Sequence, residues 1–429
     1  MKWFKAKLGD LCEVITKGTT PRTMGRNYVK SGIPFLRAEN LKEDEIFLDK
    51  NTLFIDKETD QMLLRSRILP GDVLLSIAGT IGRVAIVTKN SPTMNCNQAV
   101  AIIRIARQMP IENKFLLYWF KTPQAQSQIY GAKVTLTISN LSLGQIKELQ
   151  IPLPPLSEQR RIVEILDQAD ALRRKQAEAA AKADRILPAL FIKMFGDPAT
   201  NPMGWEIGNI GNLAKVQTGG TPSRKNESFY GGSISWVKTT EVNNNVIYST
   251  EEHLTESGLT SSNCKIFPIG TIIVAMYGQG ITRGRSAKLG IEAATNQACA
   301  AILPGEKFVP DYLWEFLKMS YKRLRDLGRG GNQPNLNLDI VKNFNVFIPP
   351  IEMQKKFLFT CQVIDNINNQ RNQLSLKMDS LFNLILERAF SGELTAKWRE
   401  AHMKEILAEM EAQAKAITDI DENEQLSLL

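Results

Sequence analysis

Pro154-Pro155-Leu156-Ser157-Glu158-Gln159-Arg160-Arg161 opens a long helical run that ends near Phe195. Two prolines block helix before it, Ser157 is a suitable N-cap, and Glu158 falls in the first turn, where its charge suits the helix dipole. Ile162, Ile165, Ala169, Leu172, Ala179, Ala183, Ile186 and Leu190 follow at gaps near three and four, the period of a helix laid along a partner helix. Pro349-Pro350-Ile351-Glu352-Met353-Gln354-Lys355-Lys356 repeats the opening at an offset of 195 residues, ahead of Phe357, Ile364, Ile367, Leu374, Met378, Leu381 and Ile385. The two runs are therefore expected to pair with each other. Their polar exceptions, Gln176 and Arg371, are expected to meet in one layer, with snorkelling to solvent as the alternative. Pro188 predicts a kink on one side only, and Gly196 and Gly392 stand where helix stops belong. From Ser157 to Phe195 the run would span roughly 58 Å, against about 34–36 Å for one turn of DNA.

The rest of the chain is duplicated too. Val14-x-Thr16-x-Gly18 returns as Val216-x-Thr218-x-Gly220, and a Thr-Pro pair follows each (Thr20-Pro21, Thr221-Pro222). Asn97-Gln98-Ala99 returns as Asn296-Gln297-Ala298. The offset drifts from 202 to 195 through these parts and then holds at 195 along the helices, as loop insertions and an indel-intolerant helix would require. A period near 200 residues indicates two tandem domains and excludes a solenoid. Each half reads as short strands (Ile33–Leu36, Val73–Ile77, Arg83–Val87 and Ala99–Ile105 in the first), a helix (Asn113–Tyr130; Pro310–Leu327), a polar loop and a last strand ending in Pro-Pro. The fold class is α+β: two tandem mixed α/β globular domains separated by two long helices that form an intramolecular antiparallel coiled coil. The boundaries are a first domain over 1–155, a central helix over 156–196, a second domain over 197–350, a C-terminal helix over 351–395 and an acidic tail over 396–429.

Net charge is +8, but residues 396–429 hold eight acidic and four basic side chains, so the remainder carries +12. A basic body suggests a polyanionic partner. The tail has two readings, a partner contact or a solvated extension, and the second is the simpler. No apolar run approaches a membrane span and the N-terminus has no signal-peptide core, so a cytoplasmic protein is expected, with its five scattered cysteines as buried thiols.

Catalytic constellations are missing from the sequence. It has no P-loop, and two histidines, His253 and His402, leave no room for a His-based metal site or triad. Glu112-x-Lys114 resembles a nuclease fragment but has no acidic partner before it and starts a helix. Candidate nucleic-acid contacts lie on loops, where readout residues sit on a rigid scaffold. The Gly-rich turns contribute Arg83 in the first half and Gln279, Thr282, Arg283 and Arg285 in the second. There the arginines suit guanine and the glutamine adenine; tight glycine hairpins are the competing reading. Lys133, Thr135 and Thr137, and in the second half Arg329, Asn332 and Gln333, stand on polar loops before the last strand. Arg22, Arg37, Arg224, Lys225 and Lys238 complete the set.

Leu153-Pro154-Pro155-Leu156-Ser157-Glu158-Gln159-Arg160-Arg161-Ile162, Lys193-Met194-Phe195-Gly196-Asp197-Pro198, Ala389-Phe390-Ser391-Gly392-Glu393-Leu394 and Met276-Tyr277-Gly278-Gln279-Gly280 together resemble the DNA-specificity subunit of type I restriction–modification systems. The resemblance covers nearly the whole chain. It implies that each globular half is a target recognition domain reading one half of a bipartite, asymmetric duplex site, with the helical pair as spacer. It also implies docking of two modification (methyltransferase) subunits that use S-adenosylmethionine to methylate adenine, and of restriction subunits that use ATP and Mg for translocation and cleavage. The chain itself would bind no cofactor or metal and catalyse nothing, serving a phage-defence complex. The loops over 18–30 and 219–231 differ, so the half-sites are expected to differ. Two alternatives remain: a stand-alone enzyme, which the missing constellations oppose, and a protein-interaction scaffold or inhibitor that does not read DNA.

Overall fold

The computed structural model describes residues 3–42, 44–131, 140–278, 280–328 and 335–414. The chain forms two compact units, Met1–Gln176 with Leu374–Leu429, and Ala177–Gln373. In the first, strands Cys12–Lys17, Val100–Ile105, Val73–Ser76 and Val84–Ile86 form an antiparallel sheet in that order. Beside it, Ile33–Leu36 pairs antiparallel with Leu53–Ile55 and parallel with Asn95–Cys96. The second unit repeats this: Val216–Thr218, Cys299–Ile302, Ile272–Ala275 and Ser286–Leu289, with Tyr230–Val237 between Glu252–Leu254 and, in parallel, Ala294–Thr295. Both units are mixed α/β. Among the described residues no helix is long and apolar enough to cross a membrane.

The strand register corrects one detail of the repeat. Ala101 faces Lys17 and Ala300 faces Thr218, so Lys17, and not Thr16, is the counterpart of Thr218. The local offset is 201. A slip of one residue reverses every side chain across a strand, which is why Ile15 and Val216 share the core-facing side while Val14 and Val216 do not.

The helix expected over Asn113–Tyr130 is two, Asn113–Phe120 and Pro123–Gly131. Pro123 has no N–H to continue the ladder, and the Thr122 hydroxyl, donating to the Trp119 carbonyl (2.7 Å) and accepting from the Ala125 N–H (3.1 Å), closes one helix and opens the next. The counterpart splits likewise into Pro310–Met319 and Tyr321–Asp326.

The first long helix, read from sequence as continuous, runs over Leu156–Ala183 and restarts over Ile186–Phe195. The break sits four residues before Pro188, at the carbonyl its ring would strike. Ile351–Ser391, with Asn383 at the matching place, stays unbroken for 41 residues. Both runs end at left-handed glycines, Gly196 (φ 85°) and Gly392 (φ 82°).

Within the first unit, Glu158 meets Thr395 and Arg399, while Arg173 meets Asp379 (3.5 Å) and the Phe382 ring (4.6 Å). Within the second, Arg371 meets Ala180 and Asp184, and Phe195 meets Phe357 (5.4 Å between ring centroids). In each unit, numbers rise along one helix as they fall along the other. Arg371, one of the two polar exceptions, reaches the end of the first helix within the second unit. Its guanidinium donates to the Ala180 carbonyl and the Asp184 carboxylate, both at 3.3 Å, and the Ala180 carbonyl also accepts from the Asp184 N–H (3.1 Å).

The opening motif has a structural explanation. Gln159 is fully buried; its Oε1 accepts from the Glu112 N–H (2.9 Å) and its Nε2 donates to the carbonyls of Pro110 and Pro154, both at 2.8 Å. Gln354 does the same for Val309 N–H and Pro349 O, both at 2.8 Å. One amide thus joins the Pro-Pro strand end, the helix start and the loop before the domain helix.

Ser157 is not the N-cap. It lies inside the helix, its N–H donates to the Glu409 carboxylate (3.0 Å), and its hydroxyl is buried without a partner. The acidic tail is correspondingly no solvated extension over its described part. Glu158, fully buried, accepts from Arg399 Nη2 (2.6 Å) and Nε (2.9 Å), Thr395 Oγ1 (2.5 Å) and Trp3 Nε1 (3.1 Å). Ile406 is buried, and Gln413 donates to the Pro154 carbonyl (3.3 Å). The described tail thus packs against the start of the first long helix.

Cys96 and Cys361 are buried free thiols, and burial pushes each up to about 12. Glu112 and Lys114 pair with Arg160 (2.7 Å) and Asp167 (2.6 Å), which accounts for both as structural residues. Among the described residues no cluster of three or more His, Cys, Asp or Glu is placed to hold a metal.

Candidate nucleic-acid interface

Each unit projects its candidate residues from turns fixed by backbone hydrogen bonds. In the first, a hairpin joins Val73–Ser76 to Val84–Ile86 through Gly79 (φ 71°) and Gly82 (φ 90°), a conformation glycine adopts without strain. Ser76 Oγ accepts from the Arg83 N–H (2.8 Å), and Tyr130 Oη donates to the Ile81 carbonyl (3.1 Å). Arg83 is left exposed at the end of this braced turn.

The second unit braces the same hairpin from the corresponding helix, Tyr321–Asp326. Tyr321 Oη donates to the Ile281 carbonyl (2.8 Å) and Arg325 Nη1 to the Arg283 carbonyl (2.9 Å). Thr282 accepts through its carbonyl from the Arg285 N–H (3.0 Å), and the Arg285 guanidinium reaches the Asn243 side chain. Thr282, Arg283 and Arg285 thus share one braced turn.

Arg22, Arg37 and Arg83 lie on three separate elements of the first unit. Arg22 sits on the turn Pro21–Met24, its guanidinium 5.9 Å from the Tyr28 ring. Arg37 follows strand Ile33–Leu36; it pairs with Glu39 (2.6 Å) and donates to the Asn51 carbonyl (3.1 Å), and its buried Nε has no partner.

The structure brings Arg224 and Lys238 together. Both bind Glu252, at 2.5 and 2.9 Å, and Arg224 also stacks at 4.5 Å on Tyr230 and 4.9 Å on Trp236. Lys238 further pairs with Glu251 (2.9 Å). Hydrogen bonds from Arg224, then Lys238, hold the Glu252 carboxyl below the usual glutamate range. The two cations are thus oriented and partly neutralised in the free protein. Lys225 is exposed beside them. Lys133, Thr135, Thr137, Gln279, Arg329, Asn332 and Gln333 lie outside the described residues.

Two residues absent from the sequence-derived set stand out. Gln98 and Gln297 are both exposed, and each takes a hydrogen bond from a threonine of the preceding Thr-Pro pair, Thr20 and Thr221. The repeated Asn-Gln-Ala was visible in the sequence; its pairing with the repeated Thr-Pro required the fold.

The family described as the type I restriction modification DNA specificity domain matches residues 1–181 and 202–376. The specificity subunit of the type I restriction enzyme MjaIX of Methanocaldococcus jannaschii is 25% identical over 415 residues, covering 91% of this chain and 93% of that protein. The StySPI specificity subunit of Salmonella potsdam is 20% identical over 430 residues, covering 92% and 90%. Among solved structures, one described as the structural basis of complex assembly and conformational transition of the type I R-M system matches with a TM-score of 0.61, at 17% identity, over 92% of this chain and 98% of that one. The type I restriction–modification S subunit of M. genitalium matches with a TM-score of 0.51, at 15% identity, over 91% and 96%.

Proposed function

We propose, from the premise that this chain belongs to the type I restriction–modification DNA specificity family, that it is the subunit that reads DNA for such a system. Each globular half takes one half of a bipartite, asymmetric duplex site. The observation that carries this is the double family match, which falls once on each of two units whose main sheets share an order of four strands, the second adding Val246–Ile247 at the edge. Arg22, Arg37, Arg83, Lys225, Thr282, Arg283 and Arg285 are the described candidates for DNA contact, and Arg224 and Lys238 join them when Glu252 releases them.

The long helices act as an antiparallel coiled-coil spacer that sets the gap between half-sites. The opposed numbering of their contacts within each unit supports this. Their outer faces take two modification subunits. Leu172, Leu374 and Leu381 in the first unit and Ile186 and Ile367 in the second, expected from sequence on the paired stripes, are exposed instead and, with Phe359, support such docking. S-adenosylmethionine, ATP and Mg belong to the modification and restriction subunits, and this chain works as a non-catalytic cytoplasmic component.

The assembled complex should bind a bipartite duplex with affinity that falls steeply with salt, as phosphate contacts require. Mapping modified adenines in the host genome identifies the site. Inserting four residues within 172–179 should change the spacer length recognised, or abolish function, with both half-site sequences unchanged. Altered half-site sequences would remove the helices from the spacer role. Salt-independent behaviour without duplex binding would favour an interaction scaffold instead.

A further inference from the structure

The loops over 18–30 and 219–231 differ in sequence, yet one side-chain arrangement recurs within both. Thr20 Oγ1 donates to Gln98 Oε1, and Thr221 Oγ1 donates to Gln297 Oε1. The backbone beneath each pair has no slack. A Cβ at Gly18 would lie 1.8 Å from the Cys96 carbonyl oxygen, and one at Gly219 would lie 1.8 Å from that of Thr295. Only glycine fits where the loop crosses the short strand. Beyond that strand, Asn97 N–H donates to the Leu36 carbonyl and Asn296 N–H to the Val237 carbonyl, both at 3.0 Å. The Asn97 side chain accepts from Ala99 N–H (3.0 Å) and that of Asn296 from Ala298 N–H (3.2 Å). Gln98 and Gln297 therefore leave the carboxyl end of a parallel strand pair from a fixed turn. The neighbouring strand continues at that end into Arg37 in one unit and Lys238 in the other.

The hydrogen bond decides what the glutamine can do. Bidentate recognition of adenine needs the amide oxygen and the amide nitrogen together. Here threonine occupies one lone pair of the oxygen and fixes the amide's orientation, and the two N–H donors of the exposed amide are left to a ligand. A donor face beside a cation suits an anionic oxygen. The same face on two units with different loops suits whatever two different half-sites have in common, and that is the phosphodiester backbone.

We propose that Gln98 and Gln297 each donate to a DNA phosphate, oriented by Thr20 and Thr221, and so register each half of the protein on its half-site. This rests on the DNA-reading function proposed above.

The test uses the full chain in its assembled complex, with the duplex identified by methylation mapping and duplexes carrying single half-site substitutions. Gln98→Ala and Gln297→Ala should each weaken binding about tenfold, the scale of a hydrogen bond to a charged group, by the same factor on every duplex. The methylated sequence should stay the same. Gln98→Glu, which turns the exposed donor into an anion, should cost more than alanine, and Thr20→Val should lose part of the same affinity. Both glutamines are exposed, so thermal unfolding should match wild type. Unchanged binding by both alanine variants, with wild-type binding intact, overturns this proposal alone. A loss confined to one base pair overturns it in favour of base reading. Failure of the wild-type complex to bind any duplex overturns the DNA-reading function and this proposal with it.

Discussion

Replacing Arg399 with alanine strands a buried carboxylate. Glu158 is fully buried, and two of its four hydrogen bonds come from Arg399, whose side chain is only 10% exposed. Removing one partner of a buried ion pair typically costs about 3–5 kcal/mol, against about 0–1 for an exposed pair. Arg399 also donates to the Gly392 carbonyl (2.7 Å), which places this variant toward the upper end. In a unit of this size each kcal/mol moves the midpoint by about 2–4 °C, so a loss of roughly 6–20 °C is expected. Differential scanning calorimetry should place it in the transition of the unit holding residues 1–176 and 374–429. Glu158→Met combined with Arg399→Met should recover most of the loss, because an apolar replacement of the whole pair leaves no orphaned charge. The second repeat supplies a control: Met353 occupies the position of Glu158, and Met353→Ala should leave that transition in place. A shift below about 2 °C for Arg399→Ala, or a double variant as unstable as the single one, would refute the reasoning and undock the tail.

Gln159→Ala and Gln354→Ala should each cost about 2–4 kcal/mol in urea unfolding, because each leaves buried backbone groups of the Pro-Pro junction unpaired. Pro188→Ala should let the helix run through Asp184 and Arg185, raising far-UV circular dichroism. Arg371→Ala, which removes hydrogen bonds to the Ala180 carbonyl and the Asp184 carboxylate, should cost about 1 kcal/mol in urea unfolding. Glu252 has a depressed carboxyl pKa, so its pairs stabilise the fold fully above the usual glutamate range and are lost as pH falls through the depressed value. Glu252→Gln should remove that acid-side component from a stability–pH profile. The same substitution should tighten duplex binding and steepen its salt dependence by releasing Arg224 and Lys238.

Much of the architecture was legible because it is written in local terms. Duplication, the two apolar helical periods, the stops at Gly196 and Gly392 and the interruption due to Pro188 all follow from residue type and spacing. The candidate interface was less legible. Arg224 and Lys238 were recognisable as cations, but their shared carboxylate, Glu252, lies on a strand 28 residues from one and 14 from the other. Gln98 was passed over because a neutral glutamine shows no sign of function until Thr20, 78 residues earlier, engages its oxygen.

The sequence by itself determined that this chain is two α/β units with two long helices, and which face of each helix is apolar. Tertiary structure alone decided what those faces meet. Helical periodicity marks an apolar stripe but carries no direction for its partner, and Leu172, Ile186, Ile367, Leu374 and Leu381 on those stripes are exposed in the fold. Arg371 stands out in the sequence as a polar residue on an apolar stripe, and the fold takes it to Ala180 and Asp184 at the end of the first helix. The opening stretch shows the same limit. Ser157 and Glu158 look like an ordinary helix start, and only the fold brings Glu409 and Arg399 back to them, because burying that carboxylate requires a cation no local pattern could supply.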